Sequence, residues 1–187
     1  MTEQTDTRPN ILVIMSDEHD PAVTGGYGDA IVQTPNLDKL ARQGIVFTSA
    51  YSNGPNCAPT RASLLSGQYT PRHGVYTVGN PDRGSAAQRK LIPTPNKTTL
   101  DSKIVTIAEA LKPAGYTSAS MGKWHMGNDP QLGPIGQGFD LNVGGNKLGS
   151  PKGGYFPPYD NVALEDGPEG EYLTDRLTDE ALSFVRE

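Results

Sequence analysis

The sequence predicts an α/β protein with a mostly parallel sheet flanked by helices. Two observations carry this. Residues 10–15 (NILVIM) form an unbroken apolar run with β-branched members, the pattern of a strand buried on both faces. Further along, helical patterns alternate with short apolar runs, and proline and glycine mark the helix starts and stops.

The first strand is bounded by Pro9 and the polar residues 16–20. Asp17 then falls just past its carboxyl end, the edge at which open α/β sheets bind ligands. Residues 34–41 (TPNLDKLA) read as a helix. Thr34 suits the N-cap, Pro35 suits the first turn, and Leu37, Leu40 and Ala41 share a face. Gly44 is placed to close that helix in the left-handed conformation. Residues 45–51 follow as a second strand, and Gly54 and Pro55 break the loop 52–56. A helix from Pro59 to Gly67 sets Cys57 at a helix N-terminus, where backbone N–H groups and the dipole favour negative charge. Residues 79–100 are polar and hold Pro81, Gly84, Pro93 and Pro95, which predicts a long surface excursion. Thr106 and Glu109 have capping-box spacing and open a short helix to Lys112, which residues 113–115 end. Residues 116–120 suggest another strand and 122–127 the loop after it. The stretch 127–170 is rich in Gly, Pro and Asn without periodicity, a pattern of functional loops or linkers. Leu173, Leu177, Ala181 and Phe184 form the stripe of a last helix. No cap, glycine or proline follows it, so the chain is expected to be part of a longer one.

Charge narrows the function classes. The net charge of −5 argues against a nucleic-acid partner, and an anionic substrate needs a local cluster of cations. The single cysteine forbids an intrachain disulfide and fits a reducing compartment. Residues 1–9 are polar and no apolar run approaches the length of a membrane span, so a cytoplasmic protein without a membrane partner is expected.

The strongest chemical signal is Cys57-Ala58-Pro59-Thr60-Arg61, continued by Ala62-Ser63-Leu64-Leu65-Ser66-Gly67. A cysteine at a helix N-terminus with an arginine one turn on favours a thiolate and draws an anion. The plain alternative is a small buried cysteine near a helix start. Lys123 and His125 lie two apart in Gly122-Lys123-Trp124-His125-Met126-Gly127. In an extended segment both would face one side, supplying a point charge and a proton carrier. The alternative there is a basic surface loop anchored by Trp124. Asp17 is a hard oxygen donor suited to calcium or magnesium. His73 reads as a structural hydrogen-bonding residue, and His19 and Asp20 as surface loop.

The Cys-x-Pro-x-Arg run with its extension closely resembles the sulfatase signature. Residues 10–17, 34–41, 122–127 and the helix at 171–186 resemble other segments of that family in the same order. The resemblance implies an alkaline-phosphatase-like fold, with helices on both faces of the sheet. It makes residues 1–187 the N-terminal part of a single catalytic domain. It also implies hydrolysis of aryl or carbohydrate sulfate esters, with Cys57 converted by a maturation enzyme to formylglycine. A divalent metal, calcium with magnesium the alternative, would be held by Asp17, Glu18 and the modified Cys57. Glu18 departs from the second aspartate that many members carry, and its longer stem moves the carboxylate. Arg61 and Lys123 would bind sulfate oxygens, and His125 would assist at the hydrated aldehyde. One hydroxyl of that hydrate attacks sulfur and the alcohol leaves. The second hydroxyl then gives up its proton and sulfate is expelled, a step no thiol can perform. The family's remaining ligands, a second histidine and a further lysine, have no counterpart here. Three other readings stay open: a phosphate or phosphonate ester hydrolase of the same superfamily, an inactive metal- or anion-binding remnant, and an enzyme using the Cys57 thiol directly. The sulfated substrate and the oligomeric state are left undetermined by the sequence.

Overall fold

A computed structural model describes residues 8–82 and 84–187. Most of the polar segment read at 1–9, and position 83 of the expected surface excursion, lie outside the described residues. The chain divides into two compact units, one ending at Tyr51 and one spanning Ser52–Glu187.

The first unit is organised around helix α1 (Pro35–Gln43). Pro35 starts it as expected, since its missing N–H is not needed in the first turn. Thr34 is the N-cap residue as expected, though its side chain makes no capping bond to the helix backbone. Its hydroxyl donates to Asp38 Oδ1 at 2.8 Å and accepts the Gly25 N–H at 2.9 Å. Thr34 and Asp38 thereby fasten the 3-10 turn Gly25–Tyr27 to the helix. A Cβ at position 25 would lie 2.6 Å from Asp38 Oδ2, so a larger residue there would have to displace that carboxylate. The Tyr27 hydroxyl donates to the Phe47 carbonyl at 2.9 Å and ties down the returning chain.

Three expectations are corrected in this unit. Neither 10–15 nor 45–51 lies in a strand, and their apolar side chains are exposed, Leu12 at 71% and Phe47 at 67%. An apolar run reports that side chains suit burial on two faces. Strand formation also needs a neighbour for the backbone N–H and C=O groups. The only sheet among the described residues is in the second unit. Gly44 is extended (φ −125°, ψ −150°), so α1 ends without left-handed closure.

The second unit pairs strands β1 (Ala119–Met121) and β2 (Leu141–Val143) in parallel, with Ala119 opposite Leu141 and Met121 opposite Val143. The α/β class with a parallel sheet is borne out, and the sheet is open and incomplete. β1 overlaps the strand expected at 116–120. β2 lies inside the irregular 127–170 stretch, and a three-residue strand is too short to show a period. Among the described residues the unit also holds the α-helices α2 (Cys57–Ser66), α3 (Thr70–His73), α4 (Ile107–Leu111) and α5 (Leu173–Arg186). Gly67 closes α2 at φ 64°, its N–H on the Ser63 carbonyl at 2.9 Å. The Thr106–Glu109 capping box forms in both directions and opens α4 as expected. Outside these elements, residues 79–99 are mostly exposed, and Leu100 is fully buried.

Two apolar clusters hold the unit. Ala58, Ala62, Val75, Leu100, Trp124 and Met126 form one, with Leu65, Ile104 and Phe139 packed on it. Val143, Tyr159, Leu164 and Leu173 form the other, with Met121 and Leu177 at its margin, so the apolar stripe of α5 lies on the sheet. The crossover 122–140 is pinned to the first cluster. Trp124 Nε1 donates to the Leu132 carbonyl at 2.9 Å and its ring meets Phe139 edge-on, centroids 5.9 Å apart. At the far end Gln137 is fully buried, donating to the Leu100 carbonyl at 3.1 Å while its own carbonyl takes the Thr106 hydroxyl at 2.6 Å.

Candidate active site

Cys57 is the first residue of α2 and is half-buried. Its position follows from the loop before it. Gly54 lies directly on the first turn, where a Cβ would come within 2.6 Å of Pro59 Cβ. Thr60 Oγ1 donates to the Gly54 carbonyl at 2.9 Å and lies 2.7 Å from Ser52 Oγ, which folds 52–56 back onto the helix. The N-cap residue Asn56 makes no side-chain cap; its amide donates to Thr77 Oγ1 at 3.1 Å instead. The first-turn N–H groups are therefore left to other acceptors, and Pro59 brings none of its own. A helix start in that condition favours a negative or strongly polarised group at Cys57.

Arg61 follows one turn later and is half-buried. Its guanidinium donates to the Lys123 carbonyl, which ties α2 to the loop after β1. The same two segments share the first apolar cluster, Ala58 and Ala62 from the helix, Trp124 and Met126 from the loop. The structure thus brings the Cys57 helix and the Lys123–His125 segment side by side. Both residues lie within four positions of the carboxyl end of β1, the ligand edge of a parallel sheet.

The extended conformation expected across 123–125 does not hold. His125 has φ 70°, in the left-handed region, so a spacing of two does not place both side chains on one face of a strand. The loop after β2 holds this turn. The His125 N–H donates to the Asn146 carbonyl at 2.8 Å. Gly149 packs on the imidazole so tightly that a Cβ would lie 2.6 Å from Cε1. The Asn146 side chain in turn accepts the Leu148 N–H at 2.7 Å and donates to Asn161 Oδ1 at 3.1 Å. Sequence reasoning missed Asn146, Gly149 and Asn161 as supports of His125. Their only signal was the glycine and asparagine content of 127–170.

His73 is fully buried. Its Nδ1 accepts the Val75 N–H at 3.0 Å, so the other nitrogen carries the proton and donates to Ser63 Oγ at 3.0 Å. Burial first, and the Lys97 charge second, hold its pKa below the ordinary histidine value. A neutral, doubly bonded imidazole on the far side of α2 is the structural part expected of it.

Asp17 and Glu18 are exposed residues of the first unit, with Glu18 in the left-handed region at φ 54°. As adjacent carboxylates they match in kind the oxygen donors that calcium and magnesium take. No three His, Cys, Asp or Glu side chains come together as a metal-ligating group among the described residues. No helix among those residues is long and apolar enough to cross a membrane.

Known proteins resemble the chain over most of its length. N-acetylgalactosamine-6-sulfatase of Canis lupus familiaris is 38% identical over 160 residues, 86% of this chain and 28% of that protein. N-acetylglucosamine-6-O-sulfatase of Bacteroides thetaiotaomicron is 32% identical over 184 residues, 95% of this chain and 27% of that protein. Among solved structures, a protein in complex with its substrate D-glucosamine-2-N,6-O-disulfate superposes with a TM-score of 0.69 at 29% identity, covering 96% of this chain and 31% of that one. The chain therefore spans less than a third of the length of each of these three proteins. The fold is the alkaline-phosphatase-like fold of these neighbours. With the Sulfatase family model matching residues 9–187 as well, the chain belongs to the sulfatase family.

Proposed function

We propose that the protein, as part of a single catalytic domain, hydrolyses sulfate esters of carbohydrates, with Cys57 matured to formylglycine as its nucleophile. The observation that carries this is the fastening of the Cys57 helix to the Lys123–His125 loop by the Arg61 guanidinium and a shared apolar cluster. The family generally uses a divalent metal and formylglycine, and the sugar sulfates named for the relatives above support the substrate class.

Each residue has a part suited to its chemistry. Arg61 supplies a permanent charge with fixed donors to sulfate oxygens, and Lys123 adds a compact cation. His125 passes the proton that must leave the hydrated aldehyde for sulfate to depart. Asp17 and Glu18 are assigned to the metal by the resemblance alone. When bound there, a dication supplies charge that polarises the attacking oxygen and the sulfate.

The test uses full-length protein produced with a formylglycine-generating enzyme. It compares 4-nitrophenyl sulfate, N-acetylhexosamine 6-sulfate and 4-nitrophenyl phosphate as substrates. Sulfate release is expected to exceed phosphate release, and the peptide holding position 57 should carry an aldehyde mass. Cys57→Ala should abolish turnover with an unchanged circular dichroism spectrum. Retained turnover in that variant, or preference for the phosphate ester, would defeat the proposal.

A further inference from the structure

The loop after β2 carries a cation that the reading above does not use. Lys147 follows Asn146, whose carbonyl accepts the His125 N–H at 2.8 Å. Its own N–H donates to Asn128 Oδ1 at 2.9 Å. Two residues on, Gly149 packs against the His125 ring. The backbone of Lys147 is thus pinned on both sides to the loop that holds Lys123 and His125. These two loops leave the carboxyl ends of neighbouring parallel strands, so Lys147 and His125 share the ligand edge of the sheet.

The Lys147 side chain is exposed, and no carboxylate among the described residues pairs with it. The other lysine of this loop is neutralised: Lys152 sits 2.6 Å from Asp160. In a chain of net charge −5, an unneutralised cation on the loop beside the candidate catalytic histidine offers a local positive charge to a further anionic group of a substrate held at that histidine. A lysine is a long, mobile point charge. That suits a charge near the reacting ester better than one oriented on it.

We propose that Lys147 is a specificity residue that reads a second anionic group, a sulfate or a carboxylate, carried by the same glycan beside the ester to be cleaved. This rests on the sulfatase reading. An exposed charge pair of this kind is worth about two- to fivefold in affinity.

The experiment measures kcat and KM of full-length wild type and Lys147→Ala on D-glucosamine 6-sulfate, on D-glucosamine-2-N,6-O-disulfate and on a uronate-linked disaccharide with one 6-sulfate. Calorimetric binding of each sugar is measured alongside. The variant should raise KM about threefold for one or both of the doubly charged sugars. It should leave kcat, and all constants for the monosulfate, unchanged. Which doubly charged sugar responds identifies the group as sulfate or carboxylate. Added salt should narrow the difference. Equal effects on all three sugars, or none, would overturn the proposal. If wild type cleaves no sulfate ester, the sulfatase reading falls, and the binding arm still decides whether Lys147 senses the second charge.

Discussion

Acid should unfasten the back of the Cys57 helix through His73. Its imidazole is fully buried between Ser63 of α2 and the Val75 N–H, with Lys97 the charged group acting on it. Lys97 is itself held close, its N–H on the Gly74 carbonyl at 2.9 Å. A second proton would have to sit on Nδ1, which would turn an acceptor for Val75 into a donor facing a donor. Folding therefore favours the neutral ring, and the folded pKa lies below the ordinary value of 6.5 while the unfolded chain titrates near it. The unfolded state then binds more protons in that window, so the contribution is intact above 6.5 and declines as pH falls from 6.5 towards the lowered folded pKa. The slope inside the window approaches about 1.4 kcal/mol per pH unit. His73→Leu removes the titration and strands the two polar partners, Ser63 Oγ and the Val75 N–H. At about 1–3 kcal/mol for each buried group left unbonded, the variant should lose about 2–6 kcal/mol near neutrality. Urea unfolding of full-length protein followed by circular dichroism, from about pH 8 to about pH 5, measures both quantities. The gap between wild type and variant should shrink as pH falls from 6.5 towards the lowered folded pKa. A gap constant across the series would refute the reasoning, because it would mean that His73 takes up its proton as easily folded as unfolded.

Two further substitutions test how the site is held. Gly149→Ala places a Cβ 2.6 Å from His125 Cε1 and 2.7 Å from Nε2, so the ring must shift. Turnover should fall by about tenfold or more and the pH–rate profile should move, with the melting temperature little changed; an unchanged kcat would show that the ring position is immaterial. Thr106→Val deletes a buried hydroxyl that donates to the Gln137 carbonyl at 2.6 Å and caps α4 on Glu109. It should cost about 1–3 kcal/mol by urea denaturation, and a negligible loss would mean that the crossover is held elsewhere.

Local chemistry was legible in the sequence wherever it is complete within a few residues. Pro35, the Thr106–Glu109 box and Gly67 all act on backbone within a turn of themselves, and all formed as read. Strands were not legible in the same way. Residues 10–15 carry a stronger strand pattern than 119–121 or 141–143, yet only the latter two pair. A helix satisfies its own backbone, whereas a strand depends on a neighbour that its own sequence does not contain. His125 failed for a related reason. Its left-handed turn is imposed by Asn146 and Gly149 of another loop, and no spacing rule within 122–127 carries that information.

The run that follows Cys57 also does two jobs, one chemical and one of packing. Cys57 and Arg61 lie about one turn apart and share a side of α2. Ala58 and Ala62 lie one position further round and are buried against Trp124 and Met126. Ser63 reaches the opposite side and meets His73. The small residues let the loop backbone approach closely enough for the Arg61 guanidinium to reach the Lys123 carbonyl, a bond that a bulkier residue at 58 or 62 would stretch. Packing at these alanines and chemistry at Arg61 are therefore coupled through one backbone carbonyl. The run thus carries the candidate nucleophile and its guanidinium, and it also supplies the small apolar residues against which the Lys123–His125 segment packs.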